Sequence, residues 1–147
     1  MTEPPPALAV PPGTLDDVLG FTFGHAGADT ARGSFEVVDR VRQPFGIVHG
    51  GVYAAMAEGL ASIATYLQVK DEGEIAVGQS NHTSFLRPVS EGAVRAEARR
   101  RHRGRTSWVW EVDFTDDQGH LCALTRVTIA VRAQPSCAAG SGTARPS

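Results

Sequence analysis

One carboxylate interrupts the long uncharged run from Gly50 to Val69: Glu58, set among alanines and a glycine. Removing an ionised carboxylate from water without a partner is costly. Such a group is therefore either paired with an arginine of a neighbouring strand or tuned for acid–base or nucleophilic work. Ser62 follows one helical turn later, which puts its hydroxyl on the same surface. Immediately before the run stand His49, Gly50 and Gly51, where a helix would begin. The unpaired amides and positive dipole end of a helix start suit a developing oxyanion, and glycine lets a carbonyl approach closely. The same triplet also serves simply to shape a turn. Gly50 and Glu58 are eight residues apart, about 12 Å along a helix at 1.5 Å per residue. One carbonyl group meets both only if they come from two chains whose helices run antiparallel about a two-fold axis. A third concentration of chemistry is basic: Arg99, Arg100, Arg101, Arg103 and Arg105 surround Gly104, with Arg87 upstream. Guanidinium forks suit phosphates, and they equally keep an exposed strand edge from aggregating.

The elements that must hold these residues follow from periodicity. Over Ala31 to Val38, Ala31, Gly33, Phe35 and Val37 alternate with Arg32, Ser34 and Glu36, a strand pattern. Gly50 to Val69 predicts one long helix, ended by the polar stop Lys70-Asp71-Glu72-Gly73. Four strand-like stretches follow, at 75–86, 93–103, 106–115 and 120–132, the third with Trp108, Trp110, Val112 and Phe114 on one face. Asp116-Asp117-Gln118-Gly119 reads as a hairpin turn. One strand, one helix and then four strands point to an α+β fold with an antiparallel sheet. The helix carries a broad apolar stripe, Val52, Tyr53, Met56, Gly59, Leu60, Ile63, Tyr66 and Leu67. Its other side, Ala54, Ala57, Ala61, Ala64, Ser62 and Thr65, is small rather than charged. The expectation is that the sheet wraps the apolar stripe and a second subunit packs on the small residues.

Composition bounds the function. The 147 residues suit one domain with a real core, 41% of them hydrophobic. A formal charge of -2 argues against a nucleic-acid binder. Cys122 and Cys137 have no zinc-type spacing and read as reduced thiols of a cytoplasmic protein. Residues 1–14 read as a flexible Pro-rich leader without a signal-peptide pattern, 15–132 as the domain and 133–147 as a disordered tail. The helix, with Glu58, Ser62, Thr65 and Gln68, does not read as a membrane span. No serine-hydrolase elbow, P-loop, dinucleotide fingerprint or zincin motif occurs, and the remaining histidines, His25, His82, His102 and His120, lack ligand spacing, so no metal is expected.

The segments 42–51 (RQPFGIVHGG), Ala57-Glu58, 78–85 (GQSNHTSF) and Arg87-Pro88 together resemble the hotdog-fold thioesterases, most of all the Arthrobacter-type 4-hydroxybenzoyl-CoA thioesterases, over roughly Leu15 to Arg132. The resemblance implies a hotdog fold, an antiparallel sheet wrapped around one long central helix. It further implies a homotetramer built as a dimer of dimers, with no metal or redox cofactor. Gly50 would supply the N–H that polarises the thioester carbonyl, with Gln43 and His49 nearby, and Glu58 of the facing subunit would act as nucleophile or general base. Ser62 stands where the family has a threonine that orients water. Arg87 and Thr106 match contacts to the nucleotide end of coenzyme A, while Arg105 replaces a smaller residue. The implied reaction is hydrolysis of an aryl-CoA thioester, 4-hydroxybenzoyl-CoA first, with phenylacetyl-CoA or dihydroxynaphthoyl-CoA as alternatives. A non-catalytic acyl-CoA sensor would keep the fold without needing the carboxylate. An enoyl-CoA hydratase would want a paired Asp and His on the helix loop, and the segment 42–51 there holds no Asp. Phe85, Tyr53, Trp108 and Trp110 either line the acyl pocket or form core.

Overall fold

The structure is a computed structural model that describes residues 7–136. Thr14 caps a short helix, α1 (Leu15–Leu19), which ends on Gly20 in the left-handed conformation, φ 72°. Strands β1 (Thr22–Ala26) and β2 (Thr30–Glu36) follow. A turn of 3-10 helix at Asp39–Val41 leads to the central helix α2 (Gly50–Val69), and a second at Lys70–Glu72 ends on Gly73, φ 74°. Strands β3 (Glu74–Phe85), β4 (Ala93–Arg103), β5 (Ser107–Thr115) and β6 (Leu121–Ala133) complete the chain. All pair antiparallel in one six-stranded sheet of order β1-β2-β4-β5-β6-β3. The long helix lies on one face of the sheet, the hotdog arrangement. Strand β1 and helix α1 have no counterpart in the sequence expectation, because Thr22 to Ala26 holds two glycine-flanked apolar residues and no sustained alternation.

The ends of the domain also lie further out than expected. Leu8 N–H donates to Phe23 O at 2.7 Å, and Leu8 and Val10 pack on the core, so part of the expected leader is fixed to β1. At the other end Gln134 N–H donates to Gly73 O at 2.9 Å. The remainder of the expected leader and tail, residues 1–6 and 137–147 with Cys137, falls outside the described residues.

The buried face of the helix is shifted from the expected stripe: Val52, Tyr53, Met56 and Leu60 are buried as expected, while Ile63 and Leu67 are half-buried and Tyr66 is exposed. The buried residues of α2 are Val52, Tyr53, Met56, Ala57, Leu60, Ala61, Ala64, Thr65 and Val69. Three of the alanines expected to meet a second subunit, Ala57, Ala61 and Ala64, are thus buried against the chain's own sheet. The sheet approaches the helix closely here, and side chains of one methyl group permit that approach. Thr65 Oγ1 donates to Ala61 O at 2.9 Å and accepts from Trp110 Nε1 at 3.0 Å, which satisfies the polar atoms at this contact. Trp108 and Trp110 are core residues, 2% and 0% exposed. The strip left open on α2 contains Gly51, Glu58, Ser62 and Tyr66, with Ala54 and Ala55 half-buried beside it.

Strand β3 is one edge of the sheet, and 77–82 are exposed along it. An unpaired edge of this length is a template for another strand.

If Ala61 packs on the sheet, Ala61→Leu overfills the core and should lower the unfolding free energy by about 1–3 kcal/mol in urea denaturation. Unchanged chain stability with altered assembly would return this face to a subunit contact.

Candidate active site

The start of α2 is built by a tight loop. Gln43 N–H donates to Ile47 O at 2.8 Å and Gly46 N–H to Gln43 O at 2.9 Å, with Gly46 at φ 85°, a conformation that favours glycine. Phe45 N–H donates to Gln43 Oε1. That bond occupies the amide oxygen and leaves the Gln43 NH2 group to donate elsewhere. His49 is the N-cap, its Nδ1 accepting from Gly51 N–H at 2.8 Å. Because a backbone amide only donates, the imidazole is the neutral tautomer with its proton on Nε2, a second outward donor. No acceptor for the Gly50 N–H is found among the described residues. The structure therefore brings Gln43, His49 and Gly50 together as three donors at one helix start.

Gln43 and Gly50 line a cleft of about 490 Å³ together with Ile47, Tyr53, Phe85 and Arg87, while His49 is not part of its lining. The Phe85 ring lies against Gly50: a Cβ at position 50 would sit 2.6 Å from Phe85 Cζ. A side chain here would displace that ring, which explains the glycine. Phe85 is 60% exposed, so of the four aromatics weighed as pocket residues it and Tyr53 line the cleft while the tryptophans do not.

Glu58 stands apart from this cleft, over β3 at Gly78, where a Cβ would lie 2.7 Å from Glu58 Oε1. A separate small cleft of about 160 Å³ is lined by Glu58, Gly78, Gln79, Ser80 and Asn81. The carboxylate is exposed in the single chain, contrary to the expectation that α2 buries it, because it lies on the strip of the helix that the sheet does not cover. Nor is it the structural ion pair offered as the alternative: among the described residues it has no salt-bridge partner. Ser62 shares its strip, half-buried.

The arginine cluster divides. Arg99 meets Glu97 and Asp113 at 3.1 and 3.3 Å, Arg100 meets Asp29, and Arg101 meets Glu111 at 2.5 Å. Arg103 lies over the Trp108 ring, 4.6 Å from its centroid. These four are engaged within the chain. Arg87, Arg105 and Thr106 are exposed, and neither arginine has an ion-pair partner among the described residues. They do not meet in one chain. Arg87 N–H bonds to Cys122 O and Val131 N–H to Thr106 O, nine residues apart on β6, which is about 30 Å of strand.

Sequence reasoning missed Asp16. Its carboxylate packs on Gly59, where a Cβ would sit 3.1 Å from Asp16 Oδ1. Burial, then the charge of neighbouring Glu58, pushes the Asp16 carboxyl above the usual carboxylate range. No periodic signal marks a residue on a five-residue helix, so nothing in the sequence linked it to Glu58. Among the described residues no group of three or more His, Cys, Asp or Glu side chains is arranged to hold a metal, and no helix is long and apolar enough to cross a membrane.

Residues 45–123 match the Thioesterase superfamily. The proofreading thioesterase EntH of Cronobacter turicensis is 41% identical over 119 residues, covering 81% of this chain and 86% of that protein. The 1,4-dihydroxy-2-naphthoyl-CoA hydrolase of Escherichia coli is 34% identical over 119 residues, covering 81% and 87%. Two crystal structures of a Staphylococcus aureus protein, one called a thioesterase enzyme, superpose with TM-scores of 0.77 and 0.78 at 26% and 27% identity. They cover 80% and 81% of this chain and 98% of that one. One carries an alanine in place of a glutamine, the other an alanine in place of a glutamate fifteen residues further on.

A carboxyl that holds its proton more tightly when folded destabilises the fold as it ionises. Stability is lost as pH rises from the unfolded-state value of Asp16 through its higher folded one. Asp16→Asn should therefore raise the melting temperature at neutral pH, with the gain shrinking as pH falls below the ordinary carboxylate range. A lower melting temperature at neutral pH would mean that the ionised carboxylate has a favourable partner.

Proposed function

We propose that this chain, which belongs to the thioesterase superfamily, hydrolyses aryl-CoA thioesters, with 4-hydroxybenzoyl-CoA as the representative substrate and with each active site shared between two subunits. Acyl-CoA thioester hydrolysis follows from the family; the aryl preference and the residue roles are the proposal. What carries it is the division of chemistry along β3. Gly50 sits under Phe85 and Glu58 under Gly78, so the donor cluster and the carboxylate both lie along the exposed edge strand, seven residues apart. Antiparallel pairing of β3 with its copy about a two-fold axis between Asn81 and His82 would set Gly78 of each chain opposite Phe85 of the other. The carboxylate of one subunit would then face the amides of its partner.

In that pairing the Gly50 N–H and the Gln43 amide bind the thioester oxygen, supported by the helix dipole. The carbonyl carbon is attacked either by Glu58 itself, giving an anhydride that water then cleaves, or by water that Glu58 deprotonates and Ser62 orients. Either way the C–S bond breaks, coenzyme A leaves as the thiolate, and water supplies the hydroxyl of the acid and the proton that the products share. His49, the N-cap of α2, would offer its Nε2–H as a further donor to this centre. The fifteen-residue spacing of the glutamine and glutamate altered in the Staphylococcus protein equals that between Gln43 and Glu58, which supports giving both residues roles.

Arg87 of one subunit, with Arg105 and Thr106 of another, would hold the phosphates of coenzyme A, an arrangement that requires more than one chain. The reading is of a homotetramer, a dimer of dimers, working in the cytoplasm without metal or redox cofactor. A second reading, 1,4-dihydroxy-2-naphthoyl-CoA as substrate, is favoured by the Escherichia coli relative. An acyl-CoA sensor would have no use for a carboxylate left unpaired beside an amide cluster.

Thiol release over a panel of aryl-CoA and acyl-CoA thioesters tests the reading. Glu58→Ala should lower kcat by about three powers of ten with little change in substrate affinity. A variant that keeps more than about a tenth of the rate would contradict the assignment.

A further inference from the structure

Three consecutive turns of α2 lie against β3. Gly50 meets Phe85, Glu58 meets Gly78, and between them Ala54 meets Asn81, whose Nδ2 donates to Ala54 O at 2.9 Å. Gly50, Ala54 and Glu58 follow one another at four-residue spacing, so they form one row along the helix. The Asn81 amide is itself held. Its Oδ1 accepts from Thr83 Oγ1 at 2.9 Å, and Thr83 Oγ1 lies 3.0 Å from Oγ1 of Thr125, a residue 1% exposed. The single proton of the Thr83 hydroxyl goes to Asn81, so Thr125 donates to Thr83. The bonds thus run in one direction, from Thr125 on β6 through Thr83 and Asn81 on β3 to the backbone of α2.

Satisfying polar groups does not require the bond to Ala54. Within α2 the Ala54 carbonyl already receives the Glu58 N–H, and Asn81 is exposed, so water would serve its amide. Asparagine is also a poor strand former, and pairing alone would favour threonine or valine in the middle of β3. What the bond does fix is a position. The bond from Trp110 to Thr65 limits roll of the helix, whereas Asn81 limits its slide along its own axis, at a point midway between Gly50 and Glu58. We infer that Asn81 is a positioning residue, whose amide pins α2 to β3 at Ala54 and thereby sets where the Glu58 carboxylate stands along the strand edge. That role rests on the proposed catalysis by Glu58. A carboxylate that attacks a carbonyl carbon, or that directs a water to it, works within a narrow range of distance and angle, and a misplacement of about 1 Å costs on the order of 100-fold in rate.

The test is thiol release by the full chain from 4-hydroxybenzoyl-CoA or 1,4-dihydroxy-2-naphthoyl-CoA, whichever is cleaved faster. Wild type, Asn81→Ala, Glu58→Ala and the double variant are compared, with Asn81→Val as a second substitution that favours the strand. Either Asn81 substitution should lower kcat about 10- to 100-fold and leave KM within about three-fold. Assembly measured by sedimentation should be unchanged, and the melting temperature lower by no more than about 5 °C. In the Glu58→Ala background the same substitution should cost no more than about two-fold, since no carboxylate is left to position. A residue that merely held the fold together would cost the same factor in both backgrounds. The inference is overturned if both Asn81 variants keep kcat within about two-fold of wild type, if the loss is the same with and without Glu58, or if in both variants it follows from dissociation or unfolding. A wild type that releases thiol from neither thioester, or a Glu58→Ala variant that keeps the rate, overturns the catalytic reading and the role of Asn81 with it. Failure of the Asn81 variants alone leaves that reading standing.

Discussion

A helix cannot fold back on itself, and the stiffness of α2 separates Gly50 from Glu58 by eight residues whatever the rest of the chain does. The two halves of the chemistry are thereby made unable to meet in one chain. The donors at the helix start are fixed by local bonds: the His49 cap to Gly51, the Gln43 oxygen tied to Phe45 N–H, and the Gly46 turn. The carboxylate is placed by the sheet, which wraps the other side of the helix and leaves Glu58 over Gly78. The remaining features of the fold accommodate that division.

The sheet serves it in two ways. Its inner face packs closely on Ala57, Ala61 and Ala64, and the Trp110 indole is tied to Thr65, so the helix has little freedom to roll. Its edge β3 is left unpaired, with both proposed half-sites along it. An exposed strand edge is an aggregation hazard unless a defined partner covers it, and here the same pairing that removes the hazard would complete the catalytic geometry. Arg99, Arg100 and Arg101 are engaged by acidic partners within the chain, whereas Arg87 and Arg105, the proposed phosphate ligands, have no such partner among the described residues and lie at opposite ends of β6.

Much of this was legible in the residues. The helix from Gly50 to Val69 and its glycine stop are set by local periodicity and capping, and four of the strands by alternation, so their bounds in the structure lie within a residue of the reading. Strand β1 was not legible, because its five residues pair only through tertiary contact with β2. The buried face of α2 was read only in part: Val52, Tyr53, Met56 and Leu60 are buried as expected, but Ala57, Ala61 and Ala64 join them in place of Ile63, Tyr66 and Leu67, since a close-packed helix–sheet contact selects for size as well as hydropathy. In the candidate site, type and spacing singled out Glu58, Gly50 and His49 as the residues whose roles are proposed. They did not single out Asp16 or Asn81, whose character depends on three-dimensional neighbours that no spacing encodes.

The most direct test of the shared site is complementation between subunits. Glu58→Ala and Gly50→Pro chains, each inactive alone, would be mixed under conditions that allow subunits to exchange; proline keeps the first helical position and removes the N–H, and the exposed Phe85 ring that it displaces belongs to the donor cluster it already inactivates. A mixed pair regenerates one site from an intact Gly50 and an intact Glu58, so activity should return to about a quarter of the wild-type level on random pairing. Exchange demonstrated by differently tagged chains without any return of activity, or full activity in a chain shown to be monomeric, would contradict the account.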